Sequence, residues 1–246
     1  KLNFFSRNQT WLPLAALMAA SLVGLLDDWM HVRGRGKYRG GGLELGIRVM
    51  LVLIIGACGA WWFYGPLETS SIMVPFWGEL SLGILFIPFF MLTMLAVFSG
   101  GIIDGLDGLA GGVLASIIAA YAGIAFFQQQ IDLAAFLAVI GGALLAFLWY
   151  NIPPARFYMG ETGMLGLTVM LTVVAFLTGA VLVLPIIAFP LMLETLSAII
   201  QIVSKRVFGK KVFRAAPIHH HFEAIGWPHY KVTMRFWIVG LIMALV

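Results

Sequence analysis

Apolar residues in this chain arrive in long runs, and that pattern excludes an ordinary soluble fold. Eight runs lie at roughly 11–26, 44–64, 81–98, 112–127, 132–149, 164–181, 183–203 and 233–246. Helices of about 17–25 apolar residues cover a ~30 Å hydrocarbon layer, and spans surrounded by lipid must satisfy their own backbone groups, as helices do. Apolar residues make up 61% of the chain and charged residues 11%, against about half and about a quarter in soluble domains. The surplus is therefore expected to face lipid. The expected fold is an all-α polytopic membrane protein, with residues 1–246 as one transmembrane domain and no soluble domain or repeat. Pro185 and Pro190 are expected to bend or break the seventh span, and the segment around Met73–Leu82 reads as a short extracytoplasmic hairpin. Cys58 is the single cysteine, so no intrachain disulfide can form. The chain opens without methionine and stops inside an apolar run, so it reads as a fragment trimmed at both ends.

Alternating the sides along the chain places residues 27–43, 99–111, 150–163 and 204–232 on one face. With flanking positions, that face holds Arg33, Arg35, Lys37, Arg39, Arg48, Arg156, Lys205, Arg206, Lys210, Lys211, Arg214, Lys231 and Arg235. Only Lys1 and Arg7 of the fifteen Lys and Arg fall opposite, and such bias marks the crowded face as cytoplasmic. Asp27, Asp28, Asp104, Asp107 and Glu161 fall on the same face at or near helix ends. Any one of these acids could simply cap a helix. Together, on a basic face, they suggest a site that holds both a phosphate and a cation.

Four segments on this face carry the chemistry. Gly24-Leu25-Leu26-Asp27-Asp28-Trp29 sets two carboxylates side by side, and adjacent like charges need a cationic neighbour to stay ionised together. Such a pair could bind magnesium, act as a base or attack phosphorus. Asp104-Gly105-Leu106-Asp107-Gly108-Leu109-Ala110-Gly111-Gly112 lets backbone approach a ligand closely and leads into a helix whose N–H groups favour anions. The stretch from Asn151 to Gly163 presents Arg156, Phe157, Tyr158 and Glu161 after two prolines, and aromatics beside a basic residue suit a nucleobase carrying phosphates. Ala216-Pro217-Ile218-His219-His220-His221-Phe222-Glu223 follows a basic stretch that includes Arg214. Three successive histidines cannot share one helical face, so this segment is expected to be irregular. With no cysteine nearby, the histidines suit phosphate better than zinc.

These segments resemble the cytoplasmic signatures of the phospho-N-acetylmuramoyl-pentapeptide transferase (MraY) family, within the polyprenyl-phosphate N-acetylhexosamine-1-phosphate transferase superfamily. The Asp-Asp pair, the Asp-Gly-Leu-Asp-Gly-Leu-Ala loop and the Asn-x-x-Pro-Ala…Met-Gly run are superfamily features. Pro217-Ile218-His219-His220-His221-Phe222-Glu223 with Gly226-Trp227-Pro228 marks the muramoyl-peptide branch. The resemblance covers nearly the whole chain and implies a ten-helix fold of which this sequence carries the third to tenth helices. It implies transfer of phospho-MurNAc-pentapeptide from UDP-MurNAc-pentapeptide to undecaprenyl phosphate, giving lipid I and UMP with Mg2+. The implied setting is the bacterial cytoplasmic membrane, with the site facing the cytoplasm and no nucleic acid partner. A homodimer is compatible with it.

The implied catalytic residues are Asp27, Asp28, Glu161 and His219, with the metal held by Glu161, Asp27 and Asp28. Substrate contacts are expected from Asp104, Gly105, Leu106, Asp107, Asn151, Phe157, Tyr158, Arg214, His220 and His221. The chain departs from the family pattern at Gly101-Ile102-Ile103, where Asn-Leu-Thr is usual, at Glu161, where the family has aspartate, and at Met164, where it has serine. Two other readings fit the residues: a sister transferase using UDP-GlcNAc, and a non-enzymatic lipid-handling protein on the same scaffold.

Overall fold

The computed structural model describes residues 10–34 and 42–245. Arg35, Lys37 and Arg39 of the basic face, and Lys1 and Arg7 opposite it, lie outside the described residues. Ten helices follow in order: α1 Trp11–Val32, α2 Leu45–Tyr64, α3 Phe86–Ser99, α4 Leu109–Phe127, α5 Ile131–Asn151, α6 Gly160–Leu177, α7 Leu184–Ile187, α8 Phe189–Phe208, α9 Ile218–Ala224 and α10 His229–Leu245. Between α2 and α3, β1 Ser71–Val74 and β2 Gly78–Ser81 form an antiparallel hairpin with Val74 opposite Gly78. The expected hairpin is therefore present, around Pro75, Phe76 and Trp77.

Among the described residues, six segments are long and apolar enough to cross a membrane: Trp11–Val32, Leu45–Tyr64, Gly83–Ile103, Leu109–Phe127, Ile131–Asn151 and Gly160–Leu177. A seventh is broken, because Val181–Ile187 and Phe189–Phe208 meet at 80°. Proline lacks an N–H and is tolerated in a helix's first turn. Pro185 and Pro190 accordingly open α7 and α8 rather than interrupt one long helix. The eighth expected span is α10, with 17 residues. At 1.5 Å per residue its described part covers about 25 Å, within the range of short spans, and it stands beside the six or seven segments that meet the length and composition of a membrane crossing.

The outward faces are apolar: Leu22, Ile54, Leu92, Val139, Leu145 and Leu241 are all exposed, as lipid contact requires. The centre is α6, 72% buried over its most apolar stretch, while α1 and α2 are 22% buried and lie at the periphery. Against α6, Phe63, Phe86, Phe90 and Phe176 form an aromatic cluster, with Phe90 and Phe176 centroids 4.5 Å apart.

The most extensive helix contact joins α1 to α6, and small residues permit it. Without a hydrophobic drive between spans, close backbone approach supplies the packing. A Cβ at Gly24 would stand 2.2 Å from the Glu161 carbonyl oxygen, and one at Gly166 would stand 2.1 Å from Ser21 Oγ. Gly24→Ala must therefore separate α1 from α6 directly beneath two candidate site residues. Overpacking of this kind costs about 1–3 kcal/mol. The variant is expected to melt earlier in detergent and to lose activity with it.

Candidate active site

The end of α1, the first turn of α2, the turn after α3, the loop before α6, and α9 meet at one end of the bundle. There Asp27, Asp28, Arg48, Asp104, Glu161 and Met164 help line a cleft of about 390 Å3. Asp27 is buried. Its Oδ1 accepts a hydrogen bond from the Leu43 amide, and its Oδ2 lies 3.9 Å from Arg48 Nη1. Arg48 Nη1 donates to Glu161 Oε1, so one guanidinium bridges two of the acids. Its Nε is buried without a hydrogen-bond partner.

Asp28, next along the helix, does something different. Its Oδ1 accepts from the Glu161 amide at 3.1 Å, while Oδ2 accepts from the Thr162 amide at 2.9 Å and the Thr162 hydroxyl at 2.6 Å. A helix start leaves its first amides without intrahelical partners and favours negative charge. Asp28 supplies both needs to α6 from a different helix. Gly160 makes room: its φ is +65°, and a Cβ there would lie 2.8 Å from Asp28 Oδ2. Both adjacent carboxylates line the cleft, yet they divide their work: Asp27 lies beside Arg48, while Asp28 holds Glu161 in place.

Asp104 follows the 3-10 turn Gly100–Ile103 and joins this acid cluster. Burial pushes its carboxyl up to about 6, a hydrogen bond with the Gly160 backbone opposes that, and the charges of Glu161 and Asp28 raise it further. A carboxyl held above its ordinary value favours the folded state at low pH, and that contribution fades as pH rises from about 4 through about 6. A bound cation would reverse this penalty.

Among the described residues no three His, Cys, Asp or Glu side chains enclose an ion. Magnesium takes one or two carboxylates and leaves its other positions to water and substrate phosphates. Asp104 and Glu161, hard oxygen donors in one cleft with negative charge left over, fit such an ion. Asp28 is committed to α6 through both oxygens, whereas Asp27 accepts from Leu43 through Oδ1 and leaves Oδ2 3.9 Å from Arg48. The positions at which the sequence departs from the pattern it resembles gather here too, since Gly101, Ile102, Glu161 and Met164 all line the cleft.

The loop from Asp104 to Asp107 is the hub that joins the other segments. Asp107 Oδ2 accepts from the Ala155 amide at 3.0 Å, and the Asp107 carbonyl accepts from Thr233 Oγ1. Tyr158 is exposed beside it, and the Asp107 charge raises its phenol above the usual value. Asn151 is buried; its Oδ1 accepts from the Gly108 amide at 3.0 Å and its Nδ2 donates to the Phe157 carbonyl at 2.9 Å. It ties two loops together and is positioned to shape the site from behind. The Leu106 side chain is buried as well. Phe157 is half-exposed, packed on Phe147 and Tyr150 at centroid distances of 5.4 and 5.8 Å.

The histidine segment is not irregular: His219, His220 and His221 lie in the short helix α9. They point three ways, as helical spacing dictates, and each has its own partner. His219 is fully buried, with Nδ1 2.9 Å from Glu194 Oε2. His220 Nδ1 pairs with Glu223, which also holds His229. His221 Nδ1 accepts from the Arg214 amide at 3.1 Å, and Arg214 Nη1 donates to the Ala224 carbonyl at 3.2 Å. Arg48 and Glu194 are the residues that reading the motifs alone leaves out. Their signal was available: each is an ionisable residue inside an apolar run, and such residues are expected to be functional.

A groove of about 440 Å3 runs between α3 and the broken α7–α8 span, lined almost wholly by apolar side chains such as Phe89, Val97, Leu184 and Leu191. At one point its wall includes Ser99 and Thr195, whose hydroxyls are 3.2 Å apart. Gly101 of the acid-lined cleft is two residues further along the chain.

Comparison with known proteins agrees with this arrangement. The glycosyl transferase family 4 model matches residues 10–179. A phospho-N-acetylmuramoyl-pentapeptide-transferase of Clostridium perfringens strain 13 is 35% identical over 241 residues, covering 97% of this chain and 75% of that protein. The proteins of the same name from Chloroflexus aurantiacus strain J-10-fl and Rubrobacter xylanophilus are 35% and 36% identical, covering 99% and 94% of this chain and 70% and 72% of theirs. With the family model spanning most of the chain and relatives matching nearly all of it, this chain belongs to glycosyl transferase family 4, among the phospho-N-acetylmuramoyl-pentapeptide transferases.

Proposed function

We propose that this membrane glycosyl-1-phosphate transferase moves phospho-MurNAc-pentapeptide from its UDP carrier to undecaprenyl phosphate, releasing UMP and forming lipid I. The observation that carries the reading is the meeting of two unlike surfaces: an apolar groove that suits a polyprenyl tail ends beside an acid-lined cleft that suits phosphates and a cation. The cleft faces the cytoplasm in this reading, because the Lys and Arg of the described loops gather at its end.

The lipid phosphate enters from the groove, and Asp27 takes its remaining proton. Asp28, occupied by three hydrogen bonds, is the poorer base. A lipid phosphate oxygen attacks the β-phosphorus of the sugar nucleotide, the bond from that phosphorus to the bridging oxygen breaks, and UMP leaves. Asp104 and Glu161 would hold magnesium, which when bound neutralises charge on the diphosphate. Arg48 keeps Glu161 and Asp27 in place and adds positive charge to the cleft. Tyr158, exposed beside Asp107, and its chain neighbour Phe157, half-exposed, offer aromatic faces to the uracil.

The deciding assay measures UMP release by the protein in detergent, offered UDP-MurNAc-pentapeptide or UDP-GlcNAc, with and without magnesium. Release that depends on magnesium and prefers the muramoyl substrate is expected. Preference for UDP-GlcNAc would move the protein to the sister activity, and no release with either would point to the non-enzymatic reading. For orientation, a cysteine placed near Lys210 should react with an impermeant reagent only after cells are opened, and one near Thr69 from outside. The reverse pattern would turn the cleft away from cytosolic nucleotides.

A further inference from the structure

Glu194 and His219 are each fully buried, and each has one side-chain atom without a partner: Glu194 Oε1 and His219 Nε2. Between them runs a single contact, Nδ1 to Oε2 at 2.9 Å. Buried polar groups in native proteins are almost always satisfied, so two orphans on one pair require an explanation. Replacing such a pair by apolar residues is often neutral or stabilising, so anchoring α9 to α8 would not by itself justify it.

The orientation of the ring supplies the explanation. With Nδ1 turned to the carboxylate, Nε2 is directed at the Asp104–Asp107 loop, where a Cβ added to Gly105 would lie 2.4 Å from it. Gly105 adjoins Asp104 of the cleft. Only a residue without a side chain lets the loop backbone lie this close to that buried nitrogen. A carboxylate that accepts from Nδ1–H fixes which ring nitrogen carries the proton and which is presented outward.

We propose that Glu194 is a positioning residue for the transfer reaction: it holds a proton on His219 Nδ1 and so presents Nε2 to the Asp104–Asp107 loop and the substrate phosphates that pass beside it. The proposal rests on the transferase reading above and assigns a role there to an acid buried in a membrane span. Glu194 touches no reacting atom and acts through the ring. Loss of an orienting partner behind a functional histidine typically costs 10–100-fold in the systems where it has been measured, chiefly metal sites.

The test uses the full chain purified in detergent. Steady-state UMP release from UDP-MurNAc-pentapeptide is measured for wild type, Glu194→Gln, Glu194→Leu, His219→Gln and the Glu194→Leu/His219→Gln double variant. Alongside, nitrogen NMR of 15N-histidine-labelled protein, assigned by loss of the His219 signal in His219→Gln, reports which ring nitrogen is protonated. His219 of the wild type is expected to be protonated at Nδ1 and to lose that state in Glu194→Leu. The Leu variant should fall at least about tenfold in kcat with little change in KM, with Gln between it and wild type, and the double variant should be no slower than His219→Gln. A wild-type His219 protonated only at Nε2 would overturn the proposal. So would additive losses, or a Glu194→Leu protein that melts earlier yet turns over normally. If the wild type releases no UMP at all, the transferase reading fails separately, and the NMR result still decides whether Glu194 sets the ring.

Discussion

Asp27→Asn is expected to reduce UMP release by about 10²–10⁴-fold, the usual worth of a general base, and to leave the melting temperature near that of wild type. Asp28→Asn is expected to do both kinds of damage. The difference follows from what each carboxylate touches. At Asp27 an amide can keep its oxygen toward the Leu43 amide, where Oδ1 now accepts, and place its NH2 where Oδ2 stands 3.9 Å from Arg48. Packing survives, while the charge and the basic oxygen do not. At Asp28 both oxygens accept, from the Glu161 amide and from the amide and hydroxyl of Thr162. An amide must turn its NH2 toward at least one donor, leaving a donor facing a donor. Hydrogen bonds to charged groups are worth about 1.5–3 kcal/mol, so the start of α6 should loosen and take Glu161 with it. Thermal unfolding in detergent, measured beside steady-state turnover, separates the two. Normal turnover by Asp27→Asn would remove it as the base. An unchanged melting temperature for Asp28→Asn would remove the capping role.

That contrast also marks where sequence stops being informative. Apolar runs and charge bias are local or additive properties, and they located the broken span at Pro185 and Pro190 and the hairpin near Pro75. The four motifs named the segments that the fold brings together around the Asp104–Asp107 loop. The division of labour between Asp27 and Asp28 is not local. One position's difference along a helix turns one side chain to Arg48 and the other to the start of α6, and only the packing of α1 against α6 decides which. The same holds for Asn151, which the resemblance puts among the substrate contacts and which the packing also makes a buried tie between Gly108 and Phe157. The three histidines were expected to be irregular because they could not share a face. In α9 they need not share one, since each serves a different neighbour. Arg48 was counted only as one more basic residue. Its place inside an apolar run was the clue to its bridging of Glu161 and Asp27.

Glu161→Gln should cost magnesium-dependent UMP release about 10²–10³-fold, the scale seen when one preorganised electrostatic contact at a reacting centre is removed. The side chain has no other evident task. It lies in the first turn of α6, lines the cleft, and is held by Arg48 through one oxygen, which leaves Oε2 for an ion. Glutamine keeps the length and can still accept from Arg48, so folding should be preserved and the loss should appear in turnover. Glu161→Asp keeps the charge on a stem one methylene shorter. Magnesium demands nearly ideal octahedral geometry at about 2.0–2.1 Å, and the Asp28 hydrogen bond to the Glu161 amide fixes the backbone from which the side chain reaches. Aspartate must therefore either leave Arg48 or stop short of the ion. Partial activity with a higher magnesium requirement is the expected result, and titrating turnover against magnesium for wild type and both variants measures it. Should the glutamine variant turn over normally at the wild-type magnesium concentration, Glu161 does not bear on the metal, and Asp104 is left as the acid to test next.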